Sequence, residues 1–169
     1  IEDVSRYYFE CNPYLVGAVA FHTKPKNIET FDNAERHRSA QFYHYDGSHL
    51  KFLKFFIFFN NINDVNDGAH SFIEGSHESN LKLPLDKKDF EEAGLRRLNN
   101  GFYTGNVKDN WISKNYSKKQ ILNFCYPAGT LIIENTSGFH KANNCITKSR
   151  DMLCLSTSIS ALTPNNYTR

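Results

Sequence analysis

No apolar run in this chain of 169 residues reaches the ~20 residues of a membrane-spanning helix, and no signal-peptide pattern is present. No membrane association is therefore expected. Charge is equally sparse. A net charge of +2 is too small to argue for nucleic acid or for an anionic membrane surface. Cys11, Cys125, Cys145 and Cys154 show no CxxC spacing. A chain of this size can bury a core without disulfide staples, so reduced thiols and a cytoplasmic location are expected. Neither HEXXH nor HxxEH occurs, which sets aside the zinc hydrolases built on those clusters. There is no internal repeat and no low-complexity tract. The chain starts at Ile1, in mid-pattern, and a preceding N-terminal segment is expected in the full protein. Oligomeric state leaves no mark on the sequence.

What the chain has in quantity is aromatic residues, fourteen Phe and nine Tyr, which favour strands. Apolar runs at 14–21 (YLVGAVAF), 52–60 (FLKFFIFFN), 70–73 (HSFI), 128–135 (AGTLIIEN) and 151–160 (DMLCLSTSIS) predict short strands, and AQFYHYD, closed by Gly47, predicts another. The run at 52–60 is almost continuously apolar and is expected to be covered on both faces. Residues 24–38 are polar, carry Pro25 and predict a loop with at most one helical turn. Several short strands joined by polar turns indicate a mainly β sandwich or barrel in one domain spanning 1–169. Residues 78–119 differ: they are charged and Asn-rich, with a short helix predicted at 87–98. They have too few apolar residues for a core of their own and are expected to form a long, partly helical surface insertion. Arg96, Arg97, Lys108, Trp111, Lys114 and Lys118 within it would suit either a basic, aromatic lid over a binding site or an ordinary solvated loop.

The most chemical stretch is QFYHYDGS. Successive side chains of a strand alternate faces, so His44 and Asp46 project together while Tyr45 points away. Phe42 is expected on the same inward face, as a wall of any pocket there. An imidazole beside a carboxylate supplies N and O ligands of the kind that suit iron, manganese or zinc. The pair equally describes a polar spot at a strand end, because HxD is a common tripeptide. Of the other histidines, His22 is expected to hold a structural hydrogen bond, His37 to be solvated and His49 to sit near the pair without ligating. His70 and His77 flank HSFIEGSH as strand-capping or turn residues. His140 follows GTLIIEN and a short turn, and Arg150 comes ten residues later at the head of an apolar strand. Its planar fork is suited to a carboxylate, although a surface arginine would look the same in sequence.

In the order QFYHYDGS, then FFIFFNNI…DGAHSFIEGSH, then PAGTLIIENTSGFHKA…R, the chain resembles the Fe(II)/2-oxoglutarate-dependent oxygenases, most closely the phytanoyl-CoA dioxygenase family. The resemblance covers about 14–160 outside the insertion. It departs from the family where Asp67 stands for the Asn of the Asn-Gly turn and Glu74 for a Pro. The resemblance implies a double-stranded β-helix, the cupin-like jelly roll, with His44, Asp46 and His140 as catalytic ligands of Fe(II). Arg150 would bind the distal carboxylate of 2-oxoglutarate. A hydroxyl that assists that contact in the family is replaced by Ala142, with Lys54 and Thr147 as substitutes. O2 and 2-oxoglutarate would be consumed to hydroxylate a small-molecule substrate, releasing succinate and CO2. A carboxylate at position 46 favours hydroxylation or desaturation over halogenation. A non-catalytic jelly-roll module that binds a metal or ligand is the competing expectation.

Overall fold

A computed structural model of the chain describes residues 1–27, 40–47, 51–79, 92, 96–97, 103–104 and 106–162. The helix expected at 87–98, the loop expected at 24–38 with His37, and His49 lie largely or wholly outside those residues.

Strands form within the expected runs at 14–21, 52–60, 70–73, 128–135 and 151–160, and further strands form where none was expected, at 96–97, 103–104, 121–124 and 140–142. In chain order the strands are β1 (Tyr14–Thr23), β2 (Phe52–Phe58), β3 (His70–Ile73), β4 (Arg96–Arg97), β5 (Tyr103–Thr104), β6 (Ile121–Phe124), β7 (Leu131–Glu134), β8 (His140–Ala142) and β9 (Arg150–Ser158). Among the described residues they are accompanied by the short α-helices α1 (Glu2–Phe9), α2 (Ser76–Ser79) and α3 (Asp109–Asn115) and by a 3-10 turn at Lys118–Gln120. One antiparallel sheet has the order β1-β9-β2-β7, a second has the order β6-β3-β8, and β4 pairs with β5. The two larger sheets form the jelly roll. Between them pack Phe56, Phe58, Ile132, Met152 and Cys154 from the first sheet, with Phe124 of the second against them.

As expected from its composition, β2 is covered on both faces. Phe56 and Phe58 point between the sheets, while Leu53 and Phe55 meet Phe9 of α1 on the outer face. Ser5 anchors that helix through a 2.8 Å hydrogen bond to Thr157. β1 is an edge strand with Leu15, Val19 and Phe21 substantially exposed, so its apolar run does not reflect full burial.

The segment predicted as a strand at 40–46 is not a regular one. Tyr43 bridges to Val107, whereas His44 bridges to His140 on the other side. The backbone turns between two partners, and no continuous ladder forms. The insertion also departs from a plain surface loop. Val107, Trp111 and Ile112 are buried with Tyr43, Ile73 and Phe139 in one cluster. Trp111 is therefore a packing residue of the β6-β3-β8 sheet, not an aromatic of a lid. Its partners are strand residues distant in sequence, which local composition does not display.

All four cysteines are unpaired. Among the described residues no helix is long and apolar enough to cross a membrane.

Candidate metal centre

His44 and His140 sit directly opposite each other in an antiparallel bridge. The His44 N–H donates to the His140 carbonyl at 3.0 Å, and the His140 N–H donates back to the His44 carbonyl at 2.9 Å. Such a pair places both side chains on one face, and the two ring centroids are 4.3 Å apart. Asp46 returns to that face two residues later, held by its N–H on the Thr136 carbonyl at 2.8 Å. Tyr45 points the other way, toward Phe139.

Each imidazole is oriented by the same device. His44 Nδ1 lies 2.9 Å from the carbonyl of Phe42, and His140 Nδ1 lies 3.0 Å from the carbonyl of Gly138. A carbonyl only accepts, so Nδ1 carries the proton and Nε2 presents its lone pair. His140 Nε2 is 3.5 Å from Asp46 Oδ2. One donor atom from each of His44, Asp46 and His140 lies within 4.8 Å of the others. Two imidazole nitrogens and a carboxylate oxygen on one face could serve a metal ion as a 2-His-1-carboxylate donor set. Phe42 does not line the cavity, and its carbonyl orients His44.

The turn before His140 is locked from below. Ser76 Oγ donates to the Ile73 carbonyl at 2.6 Å and accepts the Phe139 N–H at 2.7 Å. A Cβ on Gly138 would come within 2.7 Å of the Phe72 ring and 2.9 Å of Ser76 Oγ. Ser76 of the GSH element thus fixes the residue before the distal histidine.

Charge is arranged to suit a cation. Burial would raise the Asp46 carboxyl, but neighbouring His140 and Lys54 outweigh it and hold it at about 2. Lys54 Nζ lies 2.6 Å from Asp46 Oδ2. Burial, followed by the neighbouring His44, pushes His140 down to about 4. His44 is lowered as well, chiefly by burial. Both rings are therefore neutral near pH 7, the state that binds metals.

A cavity of about 510 Å³ opens beside the triad and is lined by both histidines, Lys54 and Arg150. Arg150 heads β9 and is 4 % exposed. It donates from Nη1 to the Gly68 carbonyl at 2.6 Å and from Nη2 to Thr23 Oγ1 at 3.3 Å, while Nε has no hydrogen-bond partner. Among the described residues no carboxylate pairs with it, and burial lowers its pKa. A guanidinium presents a planar fork whose geometry matches a carboxylate.

Of the substitutes for the missing hydroxyl at Ala142, Lys54 lines the cavity and Thr147 does not. Thr147 instead donates to Asp67, which also accepts the Asn63 N–H at 2.8 Å and pairs with Lys148 at 3.0 Å. Asp67 thereby ties the turn before Gly68 to the start of β9. The hydroxyl near the guanidinium comes from Thr23, the register partner of Arg150 on β1. Nothing in the local sequence marks that threonine.

His22 makes the structural hydrogen bond expected of it, to Asp151 at 2.5 Å, on the rim of the cavity. His77 lies in α2. His70 does more than cap a strand. It opens β3 but is buried in the cavity wall, with Nε2 2.9 Å from Glu134 Oε1 and its ring 5.7 Å from that of His140. Its position next to the triad depends on the β3–β8 pairing, which sequence periodicity does not display.

No protein-family model matches the chain, and no curated protein matches it. Solved structures do. HygX from Streptomyces hygroscopicus, in a structure with nickel and 2-oxoglutarate bound, aligns with TM-score 0.55 at 13 % identity over 86 % of this chain and 56 % of its own. AviO1 from Streptomyces viridochromogenes Tue57 gives TM-score 0.55 at 12 % identity over 96 % of this chain and 58 % of its own. EvdO2 from Micromonospora carbonacea var. aurantiaca gives 0.57 at 10 % over 92 % and 57 %. The chain thus spans less than two thirds of the length of these proteins, and what it shares with them is the jelly-roll fold.

Proposed function

We propose that the chain is the jelly-roll domain of an Fe(II)- and 2-oxoglutarate-dependent dioxygenase that hydroxylates a small molecule. The observation that carries this reading is the pair of imidazoles, each pinned through Nδ1 to a carbonyl two residues back, converging with Asp46 within 4.8 Å. Such outer hydrogen bonds are how proteins fix ligating histidines. His44, Asp46 and His140 would hold the iron, and the buried Arg150 would take the distal carboxylate of 2-oxoglutarate, with Thr23 Oγ1 beside it. When bound, iron and 2-oxoglutarate supply the oxidation of a C–H bond by O2, coupled to release of succinate and CO2. The chain orients both, and Phe56 and Met152 keep that part of the cavity apolar. The metal-bound neighbour structure supports the reading through its fold. The phytanoyl-CoA dioxygenase-like assignment rests on the sequence motifs alone.

The test is anaerobic titration of the protein with Fe(II) and 2-oxoglutarate. A visible metal-to-ligand charge-transfer band is expected in the wild type and not in His44→Ala or His140→Ala. Arg150→Leu should weaken 2-oxoglutarate binding by roughly 100-fold, as loss of a buried charge-assisted contact does. Equal 2-oxoglutarate binding by wild type and His44→Ala, with no band, would reject the reading. A band without succinate formation in air would favour a non-catalytic binding module.

A further inference from the structure

We propose that Glu134 is a positioning residue of the metal site: it is the seat to which Lys54 moves when a metal ion takes Asp46. This rests on the metal-site part of the reading above and adds to it a residue that is not a ligand.

Lys54 Nζ lies 2.6 Å from Asp46 Oδ2, the oxygen that faces His140 Nε2 at 3.5 Å. The contact is ionic and is not aligned as a hydrogen bond, since that oxygen has no hydrogen-bond partner. A divalent ion held by the triad would carry its charge to within a few ångströms of the ammonium. In a largely buried site little water screens that repulsion. Lys54 must then leave Asp46, and a cation on a cavity wall needs another partner.

Glu134 is the anion within reach. It is the register partner of Lys54 across the β2–β7 pair. Directly opposite residues of antiparallel strands have Cβ atoms about 4.5–5.5 Å apart. Glu134 is 7 % exposed, with Oε1 held by His70 Nε2 at 2.9 Å and Oε2 without a hydrogen-bond partner. Among the described residues no lysine or arginine pairs with it. A buried carboxylate oxygen left open is costly, and it persists where another state of the protein completes it. His70 fixes the carboxylate from one side and leaves Oε2 to accept one cation.

The flexible stem of lysine lets one ammonium serve two carboxylates in turn. Without metal it neutralises Asp46. With metal it neutralises Glu134, and Asp46 is freed for the ion. The move also takes the ammonium out of the cavity beside the triad, which Lys54 lines and Glu134 does not.

The experiment is a double-mutant cycle on Mn(II) affinity, measured calorimetrically for wild type, Glu134→Gln, Lys54→Met and the double variant. Glu134→Gln keeps the side-chain shape and one acceptor oxygen but removes the anionic seat, so Mn(II) binding should weaken roughly tenfold. Lys54→Met removes the cation that has to be displaced. In that background Glu134→Gln should change the affinity by less than about twofold. A crystal structure of the Mn(II)-loaded wild type should place Lys54 Nζ within hydrogen-bond distance of Glu134 Oε2. No loss of affinity, or an equal loss in both backgrounds, would make Glu134 at most a general negative charge and overturn the proposal. Lys54 Nζ still on Asp46, or turned to solvent, in the loaded protein would overturn it too. If Glu134→Gln fails to fold, that structure alone decides. Mn(II) affinity unaltered in His44→Ala and His140→Ala would instead reject the metal site, and the proposal with it.

Discussion

Lys54 Nζ sits 2.6 Å from the Asp46 oxygen that also faces His140 Nε2 at 3.5 Å. The ammonium therefore rests against the carboxylate oxygen of the triad, both groups being about one-fifth exposed. It supplies part of the positive charge that a divalent ion would supply. Lys54→Met should raise the Asp46 carboxyl from about 2 and lower the stability of the metal-free protein by about 1–3 kcal/mol, the cost of leaving a largely buried carboxylate short of a partner. Saturating Mn(II) should narrow the gap, because the ion replaces the lost charge. Thermal melts of both proteins with and without Mn(II) check this; a gap that does not change with metal would reject it.

The two depressed imidazoles give the metal-free protein a definite pH profile. His140 has a folded pKa near 4 against an ordinary 6.5. Between those values the unfolded chain binds a proton that the folded chain refuses, so stability falls as pH drops from 6.5 toward 4. For this group alone the loss is on the order of 3 kcal/mol, and above pH 6.5 it contributes no slope. His44 acts in the same direction. Asp46 and Asp67, both held near 2 against an ordinary 3.8, extend the loss below pH 4. Chemical unfolding at stepped pH should show this slope, and His140→Gln should flatten it between 6.5 and 4. Mn(II) binding, which needs neutral imidazole, should persist below pH 6 in the wild type.

Gly138 sits two residues before His140, and its carbonyl orients that ring. A methyl there meets the Phe72 ring and Ser76 Oγ inside normal contact. Gly138→Ala should cost about 1–3 kcal/mol through overpacking. Moving the carbonyl should also weaken metal binding by roughly 10–100-fold, the usual effect of losing an outer partner of a ligand. A variant that melts lower yet binds Mn(II) like wild type would show that the turn does not aim the histidine.

The juxtaposition of His44 and Asp46 was legible because it depends only on the period of two along an extended backbone. The apolar runs of β2, β3, β7 and β9 were legible for the same local reason. Placing His140 and Arg150 beside the pair required motif order as well as periodicity. Thr23, the cavity position of His70, Glu134, and the pairing of Lys54 with Asp46 escaped because they follow from registers between distant strands: Lys54 opposite Glu134, Thr23 opposite Arg150, and Phe72 of β3 opposite His140. Phe42 was misread for a related reason. Its segment alternates between two backbone partners, Val107 and His140, so strand alternation does not carry through it. Trp111 shows the same limit in an insertion whose composition suggests solvent but whose apolar residues complete a cluster made by other strands.

Asp67 offers a test of how the fold reaches Arg150. Its carboxylate gathers the Asn63 N–H, Thr147 Oγ1 and Lys148 Nζ, and its chain neighbour Gly68 presents the carbonyl that holds Arg150 Nη1. Gly68 adopts φ +83°, a conformation natural to glycine, and a Cβ there would also collide with Cys145 Sγ. Burial would raise the Asp67 carboxyl, but its hydrogen bonds, first that from Thr147, hold it at about 2. Asp67→Ala removes the acceptor shared by the turn and the start of β9 and should cost about 1–3 kcal/mol. The guanidinium should lose its aim, so 2-oxoglutarate binding should weaken by roughly tenfold while Mn(II) binding to the triad changes little. Asp67→Asn keeps one acceptor oxygen and should recover part of both losses. Paired titrations with Mn(II) and with 2-oxoglutarate separate the effects. If the two affinities fell together, the turn would be supporting the whole sandwich and not the arginine in particular.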